Sequence, residues 1–206
     1  MKLKLIPVFE LEYSHPDVKS PPYPFSDEEY TNYLDQVYKL NGFMDPFEPI
    51  AEGYNLYAIQ QTSENNLVKI IKDAIYKDQN SLEGGFVLCE IAETLNPILT
   101  HRCCSDLNDV ESWINLAKKN LTGFWIGHPM LSCKIENDQI RFIEEEEEEL
   151  EDIVIPFSDY QIAIQELKQE LIEIRKRILE ISARHQLNNK SVSQLLNFTL
   201  IDQSNA

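Results

Sequence analysis

From Tyr160 onward the apolar residues Tyr160, Ile164, Leu167, Leu171, Ile174, Ile178 and Ile181 step by four and three without a slip, and His185 closes the series. This is a heptad seam, broadened by Ile172 and Leu179. Ser158 and Gln161 have capping-box spacing, so the pattern predicts a helix over residues 159–185, roughly 40 Å long at about 1.5 Å per residue. A helix this apolar along one side does not stand alone in water. It either lies across the rest of the chain or pairs with another copy, and the sequence leaves open both cis packing and a homodimer through residues 159–185.

Ahead of that helix, residues 144–152 read EEEEEELED, eight acids in nine positions. Repulsion at that density favours a solvated connector, which Pro156 closes. The organisation expected is an acidic domain over residues 1–143, an acidic linker over 144–157 and a helical tail over 158–206. Residues 1–157 carry 29 acids against 12 Lys and Arg, while residues 158–206 carry six of each, so the whole formal charge of −17 lies in the first part. Such a surface repels phosphate backbones and anionic lipid, which argues against direct nucleic-acid or membrane binding. It attracts a basic partner.

The first domain reads as helices on a mainly antiparallel sheet, an α+β fold ending in the long amphipathic helix. Residues 2–13 alternate as a strand, with Pro7 placing it at an edge or marking a bulge. Four prolines between Ser14 and Pro24 make a loop. Ser26 and Glu29 form a capping box for a helix over 27–41 that Gly42 stops. YNLYAIQ, residues 54–60, is a strand, and Ser63 or Thr62 caps a second helix ending near Lys77. Gly84-Gly85 lacks the spacing of a phosphate-binding loop and reads as a turn before the strand FVLCEI, with LNPILT as its hairpin partner. Asp106 or Asn108 caps a short helix burying Val110, Trp113, Ile114 and Leu116. FWIGH and LSCKI read as strands, and Asn137-Asp138 as a tight hairpin turn. Ser191 and Gln194 cap a last short helix. Its surroundings, ARHQLNNKSVSQLLNF, superficially have the layout of a helix-turn-helix, but only Arg184 and Lys190 lie near and the anionic body opposes DNA.

No apolar run reaches 18 residues, so no membrane span is expected, and Pro7, Glu10 and Glu12 interrupt the N-terminal apolar stretch too early for a signal peptide. A cytoplasmic location follows as the expectation. Cys89, Cys103, Cys104 and Cys133 are irregularly spaced and read as free thiols.

Residues 101–129 hold the densest set of reactive side chains. Cys103 or Cys104, His128 and Asp106 supply the residue types of a nucleophile, its base and an orienting acid. The plainer reading is a thiol packed as a small hydrophobe and a histidine bonded to backbone. Adjacent cysteines on an extended segment point to opposite faces, so they do not share an ion without a turn, and neither a metal nor a cofactor is expected. Trp113 and Trp125 read as core aromatics, with Trp125 the alternative lining of a partner groove.

CCSDL from Cys103 to Leu107, the following Trp113, WIGHP from Trp125 to Pro129 and the opening KLIPVFELEY resemble a group of uncharacterised bacterial proteins organised like small immunity proteins of toxin systems. The likeness covers residues 1–145. It departs at His101-Arg102, where that group has Pro-Gln. The resemblance implies a cytoplasmic protein that neutralises a toxin, and it brings no catalytic residues with it.

Three functions follow. The first is a non-enzymatic binding protein that engages a basic protein through Glu144, Glu145, Glu146, Glu147, Glu148 and Trp125, with Tyr23, Phe25 or Phe47 as aromatic anchors. The second is a small cysteine-dependent hydrolase or thiol enzyme. The third is a homodimeric assembly protein.

Overall fold

The computed structural model describes residues 1–51, 53–144 and 152–199. Strand β1 (Leu3–Glu10) is apolar on both faces: Leu3, Leu5 and Phe9 enter the main core, and Ile6 and Val8 enter a smaller cluster on the other side. A strand buried on both faces belongs inside a sheet. β1 accordingly lies between β2 (Leu56–Ala58) and β3 (Gly84–Ile91), with β4 (Leu95–Leu99) at the far edge and every pairing antiparallel.

The edge placement expected from Pro7 is therefore corrected, and the register gives the reason. The Pro7 carbonyl accepts from the Ile59 amide at 3.0 Å, just past the end of β2. The amide and carbonyl of one strand residue face the same neighbour, so the donor Pro7 lacks points beyond a three-residue strand and no β3 ladder bond is lost. Pro97 does lie on an edge strand, where the β3–β4 register shifts between Leu88 and Cys89. Gly84-Gly85 is not a turn. The two glycines open β3, opposite Phe9 and Val8.

Helix α1 (Asp27–Leu40) begins with the expected capping box: Ser26 Oγ accepts from the Glu29 amide at 3.2 Å, and the Glu29 carboxylate accepts from the Ser26 amide at 2.8 Å. Ser63 caps α2 (Glu64–Tyr76). Asp106 caps a 3-10 turn, Leu107–Asp109, which leads into α3 (Val110–Ala117) and buries Trp113 completely. FWIGH forms no strand. The next strands are β5 (Leu131–Glu136) and β6 (Gln139–Glu144), joined by Asn137 and Asp138 at φ 50° and 58°, the left-handed pair that a two-residue hairpin requires. Part of the expected linker is also structured: Ile153–Pro156 is β7, which pairs with β6 to complete a second antiparallel sheet.

β7 runs straight into α4 (Phe157–Arg184), about 42 Å long. The capping box expected from Ser158 and Gln161 is absent. The helix starts at Phe157, whose amide donates to the Asp138 carbonyl, and Ser158 Oγ bonds Asp159 instead. The heptad seam lies against the chain's own β1 and α3, with each of its residues from Tyr160 to Ile181 at most 3% exposed. Tyr160 Oη donates to the Trp113 carbonyl at 2.7 Å. The N-terminal amine pairs with Asp159, Lys4 with Glu170, and Glu64 of α2 with Arg184 and His185. Packing in cis is thus realised, and the seam that a homodimer through residues 159–185 would need is already covered. The last helix, α5 (Asn189–Leu195), is capped by Asn188 rather than Ser191, and it buries Val192 and Leu195. Among the described residues no helix is long and apolar enough to cross a membrane.

Arg177 fastens α4 to the turn between β2 and α2, donating to the carbonyls of Ile59, Gln60 and Thr62 at 3.0, 2.9 and 2.5 Å. Three backbone acceptors lose a charged donor in Arg177→Ala. The expected loss is at least about 2 kcal/mol of unfolding free energy, measured by urea titration, because Ile59 and Thr62 are buried and their carbonyls are left without that donor.

Candidate functional site

Two irregular segments, residues 101–106 and 124–130, meet at one backbone bridge. Cys103 and His128 are antiparallel partners: the His128 amide donates to the Cys103 carbonyl at 2.9 Å, and the Arg102 amide to the His128 carbonyl at 2.6 Å. Gly127, at φ +96°, makes this approach possible, since a Cβ there would lie 2.5 Å from the Cys103 carbonyl oxygen. The His128-Pro129 peptide is cis.

The bridge brings three of the four candidate catalytic side chains together. Cys103 Sγ lies 3.6 Å from His128 Nδ1, and the Cys104 thiol donates to Cys103 Sγ at 3.4 Å. The expectation that adjacent cysteines point apart is corrected. Cys104 takes φ +61°, a left-handed turn that swings its thiol back beside its neighbour. The edge of the half-exposed Trp125 meets the imidazole of His128, with ring centres 5.5 Å apart, so Trp125 is a wall of this cluster rather than a core aromatic.

Asp106 does not join them. Its carboxylate accepts from Ser81 Oγ at 2.5 Å and from the Asn108 amide at 2.7 Å, and is committed to the cap. Among the described residues no carboxylate is hydrogen-bonded to His128 as the orienting member of a nucleophilic relay would be. The Cys103 thiol is held above its ordinary range, first by its hydrogen bond with Cys104, then by desolvation and the charges of Cys104, Glu10 and Glu12. Burial pushes Cys133 up to about 12 and Cys89 up to about 11. A nucleophilic thiol needs a shift in the opposite direction.

No protein family, curated protein or solved structure matches this chain. The site is therefore read from its own geometry.

Of the expected partner-binding acids, Glu145 to Glu148 lie outside the described residues. Glu144, at the end of β6, has a side chain only 14% exposed and lies 3.6 Å from Arg102, so it is engaged within the chain. Phe47 packs among Tyr38, Phe43 and Tyr57, leaving Tyr23 and Phe25 as exposed aromatics.

Two features were missed from sequence. His101 is 1% exposed, and its Nε2 lies 3.4 Å from a carboxylate oxygen of the buried Glu10. Its place two residues before the paired cysteines and the departure from Pro-Gln at His101-Arg102 mark the position in the sequence, but not its pairing with Glu10. The other is an aromatic row, Tyr23, Phe25, Tyr30 and Tyr33, with successive ring centres 6.1, 5.2 and 6.0 Å apart. Its members straddle a proline loop and a helix start, so no single periodicity displays them.

Proposed function

We propose that the protein is a non-enzymatic binding protein that engages a basic protein partner, in the manner of the immunity-type proteins it resembles. The observation that carries this reading is an aromatic row, exposed at Tyr23 and Phe25 and half-buried at Tyr30 and Tyr33, set among exposed acids. Tyr23 is 90% exposed at one end. Glu12, Asp27 and Glu28 are exposed, and none of them takes part in an ion pair among the described residues. The charge of Glu12 reaches Tyr30, whose hydroxyl is raised chiefly by burial and then by Tyr33, Glu12 and Glu10. Aromatic faces and carboxylates are the two surfaces that lysine and arginine side chains prefer: the rings supply cation–π contact and the acids speed encounter. The thiol-enzyme alternative has less support, because the Cys103 thiol is raised and no carboxylate among the described residues is hydrogen-bonded to His128.

The test is affinity capture from the source cells with the full chain and with a Tyr23→Ala, Asp27→Asn, Glu28→Gln variant. The captured protein is then purified and titrated calorimetrically against both chains. A basic protein that binds the variant at least about tenfold more weakly, and the parent more weakly as salt rises, is expected. Equal binding by the two chains, or only salt-insensitive acidic partners, overturns the proposal.

A further inference from the structure

We propose that Cys103, Cys104 and His128 form a binding site for one thiophilic d10 cation, Zn2+ or Cu+. This inference is independent of the acidic binding surface. The three ligand atoms all lie within 4.8 Å of one another. In a tetrahedral zinc centre with Zn–S of about 2.3 Å and Zn–N of about 2.0–2.1 Å, neighbouring ligand atoms stand about 3.5–3.8 Å apart. The two measured edges, 3.4 Å between the sulfurs and 3.6 Å from Cys103 Sγ to His128 Nδ1, are already close to that spacing. An ion would draw the sulfurs apart by a few tenths of an ångström, which the exposed Cys104 side chain can provide by rotating.

The backbone supplies what adjacent cysteines ordinarily lack. The left-handed turn at Cys104 aims both thiols to one side, and the paired backbone of Cys103 and His128 fixes the imidazole opposite them. Gly127 admits that approach, and Trp125 packs edge-on against the ring and limits its rotation. The ligand types choose the ion: two thiolates and one imidazole suit Zn2+ or Cu+ and disfavour Mg2+ or Ca2+. Each thiol releases its proton to solvent on binding, so a divalent ion with two thiolates is locally neutral. The Glu10 and Glu12 charges that reach Cys103 add attraction for a cation. Cys104 is exposed, so an ion has a direct path in, and with three protein ligands a fourth position stays open to water or a small ligand.

The experiment uses the full chain, reduced with a non-chelating phosphine. Co2+ is added as a spectroscopic probe, followed by Zn2+, and in parallel Cu+ is titrated against a chromophoric chelator. One equivalent of Co2+ is expected to give a thiolate-to-metal charge-transfer band, which Zn2+ then abolishes. Cys104→Ser and His128→Gln are each expected to weaken Zn2+ or Cu+ by at least about 100-fold, since losing a direct ligand costs no less than losing its supporting shell. Cys133→Ser is expected to change nothing. Cys104 is exposed, so its serine variant retains the fold, and an unchanged unfolding midpoint verifies this. Preference for Zn2+ or for Cu+ identifies the ion. The proposal is overturned if neither ion is retained, if no charge-transfer band appears and Cu+ fails to compete, or if binding persists undiminished in Cys104→Ser.

Discussion

Leu171→Ala is expected to lower the unfolding free energy by about 3–5 kcal/mol, the range for a fully enclosed leucine whose neighbours cannot close the gap. Leu171 is 0% exposed at the middle of α4, and Leu167 and Ile174 on either side of it are 1% exposed. The helix packs on β1, which is held in the centre of a sheet, and on α3, tied to it through the Tyr160 bond to Trp113, so the core around α4 is not free to collapse inward. Ile172 is the matched control. It is 51% exposed, turned about 100° away from Leu171 around the same helix, and Ile172→Ala is expected to change stability by less than about 1 kcal/mol. Urea titration of the three chains gives the comparison. The parent's midpoint is expected not to move with protein concentration, as it would if α4 were held by a second copy. A cost under 1 kcal/mol for Leu171→Ala, or a concentration-dependent midpoint, would remove the helix from the chain's own core.

The same helix shows where sequence reasoning holds and where it stops. A seam at steps of four and three is a local property of consecutive residues, so its existence and extent were legible from Tyr160 to Ile181. What the seam faces was not, because a helix packed on a sheet and one packed on a twin bury the same pattern. Pro7 is a sharper case. Whether a proline disrupts a strand depends on which neighbour its nitrogen faces and where that neighbour ends, and here a three-residue β2 fifty positions away decides it. β7 was hidden for another reason: Ile153, Val154 and Ile155 are too few to outweigh the neighbouring acids in composition, yet pairing with β6 stabilises them as a strand.

The candidate site divides in the same way. Residue types alone located the cluster, since Cys103, Cys104 and His128 do converge. Its geometry needed the crossing of residues 101–106 with 124–130, which imposes the left-handed turn at Cys104 against the ordinary preference of an extended chain. Asp106 carried two readings from sequence, because one position serves a helix cap and a catalytic acid equally well, and its bonds to Ser81 and Asn108 decide for the cap. Of the acids expected to carry binding, Glu145 to Glu148 lie outside the described residues, and the aromatic row is a feature that no linear pattern displays.

Gly84→Ala is expected to be severely damaging for a single added methyl, lowering stability by more than about 3 kcal/mol or preventing folding. A Cβ at Gly84 would overlap the Val8 carbonyl oxygen and come within 3.0 Å of the Phe9 Cα, and both are backbone atoms of the central strand. A flexible side chain can turn away from such a contact, but backbone held in ladder bonds between β2 and β3 cannot. The φ of +153° adds a conformation that an L side chain rarely adopts. Gly123→Ala separates the two contributions. Gly123 has φ +70° with nothing within 4 Å of its Cβ position, so alanine there carries only the left-handed cost of about 1–2 kcal/mol. Thermal or urea unfolding of the two variants beside the parent measures the difference, which is the steric cost of crowding β1. Equal losses at the two positions would mean that β3 can move away from β1, and the sheet would then lack the rigid centre on which α4 and the Cys103–His128 crossing both depend.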